Sequence, residues 1–203
     1  MTLSPIFQET YEAYLSRIGK IDLPACREVL GIEVRGKQAV VPFFNATYYV
    51  DSHGIVDMEG KKPQLSVCVI LCKYLLMCPK DIPRNTGLAT FKDFKDAAPL
   101  IHYFENAVQG EMARHFTGNT SALEKACMDL GGEPYTEELA YQVKYQFKGL
   151  PRIPVYLLFN DAEEGFAAQC TMLFERTTEV YLDMESVSML GVTLNNKLKP
   201  GYP

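Results

Sequence analysis

The segment LAYQVKYQF, residues 139–147, constrains the fold more than any other part of the chain. Leu139, Tyr141, Val143, Tyr145 and Phe147 alternate with Ala140, Gln142, Lys144 and Gln146. Side chains along a strand point alternately to opposite faces. This period of two therefore predicts a strand with one apolar and one wet face. After LPRIP, residues 155–159 form an unbroken apolar run, the signature of a central strand. NDAEEGF, residues 160–166, links it to a third strand near 168–175. Links this short join antiparallel neighbours, so the C-terminal half reads as a meander.

The same change of period organises the first half. Residues 5–18 carry Ile6, Phe7, Tyr11, Tyr14, Leu15 and Ile18 at helical spacing. A short helix is expected after Asp22, with Pro24 in its first turn and Gly31 as its stop. Residues 32–35 and 38–44 flank Gly36 as one hairpin, and 46–51 and 55–58 flank DSHG as a second. Residues 64–77 predict a helix, and 79–96 read as irregular, with Pro79, Pro83 and Gly87 as punctuation. Pro99 opens a long helix with Leu100, Ile101, Phe104, Val108, Met112 and Phe116 on one face. Ser121 and Glu124 fit a capping box for the next helix, which stops at Gly131-Gly132. Asp183 caps a last helix with Met184, Val187, Leu190, Leu194 and Leu198 inward. The expected fold is one α+β domain over residues 1–203, with N-terminal hairpins and a C-terminal meander in a largely antiparallel sheet packed with helices.

Composition limits the function classes. A net charge of −5 speaks against non-specific nucleic-acid binding, which needs clustered Lys and Arg. The most apolar stretch, residues 67–77, is interrupted by Lys73 and falls short of the roughly 18 residues of a membrane span. The opening MTLSPIFQET lacks a basic n-region, so a cytoplasmic protein without a membrane anchor is expected. Residues 161–185 hold seven acids against Arg176 alone, a net −6, which leaves the rest of the chain near neutral. A solvated acidic face, a basic partner surface and a divalent-cation site are all open readings of that run.

Two stretches invite a chemical reading. VCVILCKYLLMCP, residues 67–79, places Cys68, Cys72 and Cys78 close together. Cys68 and Cys72 share a helical face, and soft thiolates suit zinc or an iron–sulfur cluster. Clusters normally take closer spacing from a loop, however. At about 100° per residue the two cysteines also turn away from the only polar stripe, Ser66 and Lys73. Core packing is the expected role, and no metal ligand is assigned. The stronger candidate is the acidic loop. Asp161, Glu163 and Glu164 can hold a hard cation, or divide acid and base roles if burial separates them, or simply keep a sheet end soluble. Tyr141, Tyr145, Phe147, Tyr156, Phe159 and Phe166 can line a pocket or fill a core, and Lys144, Lys148 and Arg152 can meet an anion. Nothing in the spacing of His53, His102 and His115 marks a metal site, and no nucleotide-binding loop, nucleophile elbow or metalloprotease motif occurs.

The C-terminal half resembles an uncharacterised bacterial and archaeal family, a domain of unknown function found largely in anaerobes. The resemblance is carried by Leu150-Pro151-Arg152-Ile153-Pro154, by Asp161, Glu163, Glu164 and Phe166, by Leu173-Phe174-Glu175 and by Tyr181-Leu182. Gly131-Gly132 and the leucine-rich helix at 65–77 also fit. The chain departs from the family pattern at Gly165, inserted before Phe166, and at Glu175, which stands for an aspartate. Some relatives are fused to a cysteine-rich iron–sulfur domain, like one in the acetyl-CoA decarbonylase/synthase machinery. Such a domain is not expected in this chain. The resemblance implies anaerobic redox or one-carbon metabolism and assigns no reaction or cofactor. Three readings follow. One is an accessory module binding a small molecule or a redox protein partner through Tyr141, Tyr145, Arg152, Asp161, Glu163, Glu164 and Phe166. The others are an enzyme working through residues 161–164, and a structural interaction protein.

Overall fold

A computed structural model of the chain describes residues 5–199, with side chains from Gln8 onward. Helix α1, Pro5–Ile18, buries Tyr11, Leu15 and Ile18; Ile6 and Phe7, expected on the same face, lie outside the described side chains. Helix α2, Leu23–Leu30, starts where Asp22 accepts from the Ala25 N–H, and stops at Gly31, whose φ of 67° is left-handed. Four strands follow: β1 Glu33–Arg35, β2 Gln38–Phe43, β3 Ala46–Asp51 and β4 Gly54–Asp57. They pair in sequence order as one antiparallel sheet, so the two expected hairpins are joined edge to edge.

Helix α3, Leu65–Leu76, buries Val67, Cys68, Ile70, Leu71, Cys72, Tyr74 and Leu75. A helix apolar on nearly all sides belongs inside, and α3 packs between α1 and the C-terminal helix Met184–Leu198. The segment read as irregular contains a strand, β5 Leu88–Thr90. The expected long helix is composite. A 3-10 turn at Ala98–Leu100 leads into α4, Ile101–Tyr103, then a π-helical segment Phe104–Gly110, then α5, Glu111–Phe116. Phe104, Val108, Met112 and Phe116 are buried as expected, while Leu100 and Ile101 are only half-buried. Helix α6, Thr120–Asp129, is capped by Asn119, whose Oδ1 accepts from the Ala122 N–H at 3.3 Å. This replaces the expected Ser121–Glu124 box: Ser121 already lies inside the first turn.

The second sheet has the order β5-β9-β8-β7-β6, all antiparallel. Its strands are β6 Glu133–Pro134, β7 Val143–Leu150, β8 Ile153–Asn160 and β9 Gln169–Glu175. Strand β8 is central, as its apolar run requires. The alternating strand is shorter at its start than expected and longer at its end. The reason is Asn160. Its side-chain amide accepts from the Gln142 N–H at 2.9 Å and donates to the Ala140 carbonyl at 3.1 Å. A side chain thus takes the place of the next ladder partner, and residues 139–142 leave the sheet.

Val143, Tyr145 and Phe147 face the same side as Val155, Leu157 and Phe159 of β8 and Cys170, Met172 and Phe174 of β9. Helices α5 and α6, the π segment and α8 (Met184–Leu198) pack over this face, with a short helix α7, Thr178–Tyr181, before α8. Asp183 caps α8 as expected, accepting from the Ser186 N–H at 2.9 Å. No helix among the described residues is long and apolar enough to cross a membrane.

Candidate functional site

The β8–β9 connection is built by its own hydrogen bonds. Glu163 and Phe166 exchange both backbone bonds, at 3.1 and 2.9 Å. Gly165 between them has φ of 84°, the left-handed value a type II turn needs at its third residue. Gly165 is therefore what makes this turn. Gln142 clamps the connection from the side. Its Oε1 accepts from the Asp161 N–H at 2.8 Å and its Nε2 donates to Glu163 Oε1 at 3.1 Å. Asp161 Oδ1 accepts from the N–H groups of Ala162 and Gly118, at 2.7 and 2.8 Å. The second bond ties the loop to the turn after α5.

Beside this loop lies an open cleft of about 490 Å³, whose lining includes Leu139, Tyr141, Gln142, Asn160, Asp161, Glu163 and Phe166. The volume falls in the range of small-molecule sites. Phe166 is 74% exposed, and Leu139 is also exposed, so the cleft carries apolar surface at its rim. Tyr141 is fixed by donating to Thr171 Oγ1 at 3.2 Å. Among the described residues, two carboxylates and no basic side chain line the cleft.

Of the seven residues nominated by sequence, four meet here: Tyr141, Asp161, Glu163 and Phe166. Glu164 stands exposed on the turn beside the cleft. Tyr145 does not join them, because its place in the alternation turns it to the buried face, towards α6 and Cys127. Arg152 stands just before β8, at the end far from the cleft, about 26 Å from Asn160 at ~3.3 Å per residue. Its guanidinium donates to the carbonyls of Val29 and Glu28 at 3.1 and 2.7 Å, closing the end of α2. Lys144 and Lys148 are likewise committed, to the Glu137 carbonyl and to Glu133. The 161–185 acids divide between two places: Asp161, Glu163 and Glu164 at the cleft, and Glu175 at the end of β9 with Glu179, Asp183 and Glu185 after it.

Sequence reasoning did not single out Gln142 and Leu139, and took Asn160 only as the first residue of the acidic loop. Gln142 reads as an ordinary wet-face position and Asn160 as a loop residue, and only their bonds across the sheet end show their role. Among the described residues, no group of three or more His, Cys, Asp or Glu could hold a metal ion. Cys68 and Cys72 are buried in the core, and burial pushes the Cys72 thiol up to about 12.

The class defined here is an α+β protein with an acidic, solvent-open cleft at the end of an antiparallel meander. Residues 22–197 match a family described as a domain of unknown function, DUF3786, and the chain belongs to that family. No curated protein and no solved structure matches it.

Proposed function

We propose that the protein is a binding module whose meander-end cleft takes a small cationic ligand with an apolar portion. One observation carries this reading: the cleft pairs Asp161 and Glu163 with the apolar side chains of Leu139, Tyr141 and Phe166, and holds no basic side chain. Each carboxylate commits one oxygen to the scaffold, and its second oxygen has lone pairs for a ligand's N–H donors. An ammonium group would meet the carboxylates, and the exposed Phe166 ring would cover its apolar part, with cation–π attraction in addition. The fixed turn at Gly165 pre-organises these groups, so little ordering is needed on binding. The sequence resemblance supplies the setting of an accessory protein in anaerobic redox or one-carbon metabolism.

The test is a thermal-shift screen with polyamines and cationic amino-acid derivatives, with matched anionic and neutral compounds as controls. Cationic compounds are expected to raise Tm. Glu163→Gln and Phe166→Ala should each weaken binding about tenfold, roughly 1.4 kcal/mol, while Arg152→Lys leaves affinity unchanged. A screen in which only anionic compounds shift Tm, or none does, refutes the reading.

A further inference from the structure

A second cavity lies where the turn between β2 and β3, helix α6 and the end of α8 meet. Its volume of about 430 Å³ falls in the range of small-molecule sites. Ala122 and Ala126 of α6, with Leu130 and Leu198, give it an apolar floor. The two leucines are buried and the two alanines half-buried. Three lysines also line it, and their partners differ. Lys125 pairs with Asp129, one turn further along α6, at 2.6 Å, and Lys199 pairs with Glu111 of α5 at 2.6 Å. The half-buried Lys197 has no carboxylate within ion-pair distance among the described residues. Its Nζ donates to Asn45 Oδ1 at 3.4 Å, a long bond to a neutral group. An ammonium carries three donors, so this one has capacity to spare for a ligand. Burial, with no counter-charge to oppose it, holds Lys197 below the ordinary lysine value. A partly desolvated cation above an apolar floor is costly until an anion meets it.

We propose that this cavity is a second binding site, which takes a short-chain carboxylate with its charge on Lys197 and its alkyl chain on the apolar floor. The carboxylate oxygens accept from Lys197 Nζ in charge-assisted bonds. The chain covers Ala122, Ala126 and Leu130 and removes their apolar surface from water. Lys125 and Lys199 offset Asp129 and Glu111, so the surplus charge that the ligand meets is that of Lys197. Asn45 belongs to the first sheet's turn, while α6 and α8 pack over the second sheet. A bound carboxylate therefore touches both halves of the molecule and stabilises their contact. The charge of this site is opposite to that of the meander-end cleft, and the inference stands independently of the cleft's ligand.

The experiment titrates the full chain with hexanoate, with acetate and hexylamine as matched probes. Hexanoate is expected to bind about tenfold tighter than acetate, because its longer chain reaches the floor. Lys197→Met keeps the apolar stem and removes the charge, and should weaken hexanoate binding about tenfold or more. Lys20→Met removes a charge beside the β3–β4 turn, at the other end of the first sheet, and should leave the affinity unchanged. In the wild-type protein the affinity should fall between about pH 7 and pH 10. Lys197 loses its proton over that range, whereas the ligand's carboxylate stays charged. This profile decides the question even if Lys197→Met folds poorly, and a flat one overturns the proposal. Equal hexanoate affinity in wild type and Lys197→Met, hexylamine binding that the same variant abolishes, or no hexanoate binding at all would each overturn it as well.

Discussion

Lys73 and Asp183 form an ion pair of 2.6 Å between α3 and the start of α8, with side chains 25% and 35% exposed. The same carboxylate caps α8 through its other oxygen. Burial alone would raise the Asp183 carboxyl, but the bonds from Lys73 and Ser186 outweigh it and hold the group below its ordinary value. A carboxyl depressed on folding contributes stability above its unfolded value of about 3.9, and that contribution is lost as pH falls through the folded value. Asp183→Ala removes both the cap and the pair, with an expected loss of about 2 kcal/mol at pH 7. Asp183→Asn keeps a capping oxygen and should cost about half as much. Urea titrations at pH 7 and pH 3 check this: the gap between wild type and Asp183→Asn must shrink at the lower pH, and an equal gap at both sinks the idea. The cap was legible in the sequence, because an N-cap depends on the next three residues. Its ion-pair partner was not, since Lys73 is more than one hundred residues away. The bonds of Arg152 were hidden for the same reason. Its partners Glu28 and Val29 lie outside any local window.

At the scale of elements, period and turn chemistry located most of the helices and strands, and departures arose where something other than period decided. Strand β7 begins late because Asn160 substitutes for a ladder partner. Strand β5 is short and follows prolines, so it shows no period of its own; pairing with β9 makes it a strand. The π segment keeps its buried residues near α-helical spacing, so the sequence pattern does not expose the widened turn. Gly191 of α8 explains how this segment sits. A Cβ there would lie 2.7 Å from Phe104 Cε2 and 3.1 Å from Val108 Cγ1, so α8 crosses the π segment at the closest approach only glycine permits. Phe104 cannot retreat, since it stacks on Phe91 at 4.2 Å and meets the edge of Phe174 at 6.2 Å. Gly191→Ala gains about 1 kcal/mol of helix propensity but overpacks this contact. A net loss of about 2 kcal/mol in chemical denaturation is expected, and Phe104→Leu should recover part of it in the double variant. A stabilised Gly191→Ala protein would show that the crossing is looser than its geometry implies.

The whole molecule joins two separate sheets, and its cooperativity depends on what connects them. Among the described residues no strand is shared. The link is made by packing and by a few bonds. The Phe44 N–H donates to the Gly149 carbonyl at 3.0 Å, where β7 is bulged, and Lys197 of α8 reaches Asn45 Oδ1 at 3.4 Å. More important, the buried apolar residues form one contiguous cluster. It runs from Tyr11 of α1 through Val41 and Phe43 of the first sheet and Ile70 and Leu71 of α3 to Val155 and Phe174 of the second sheet and Leu194 of α8. Helix α3 sits where these parts meet, which explains why its cysteines pack as small hydrophobes. If either sheet unfolded alone, it would expose the α3 face against which the other half is built. The cost of that exposure, about 25 cal/mol per Å² of apolar surface, penalises every half-folded state. The expected result is therefore a single unfolding transition, with far-ultraviolet and near-ultraviolet circular dichroism superimposing across a urea titration. Tyrosines report on both sheets, Tyr48 and Tyr49 in the first and Tyr145 and Tyr156 in the second, so a half-folded state would separate the two signals. Two resolved transitions would mean that the contiguous core does not couple the halves, and that the chain folds as two units rather than one.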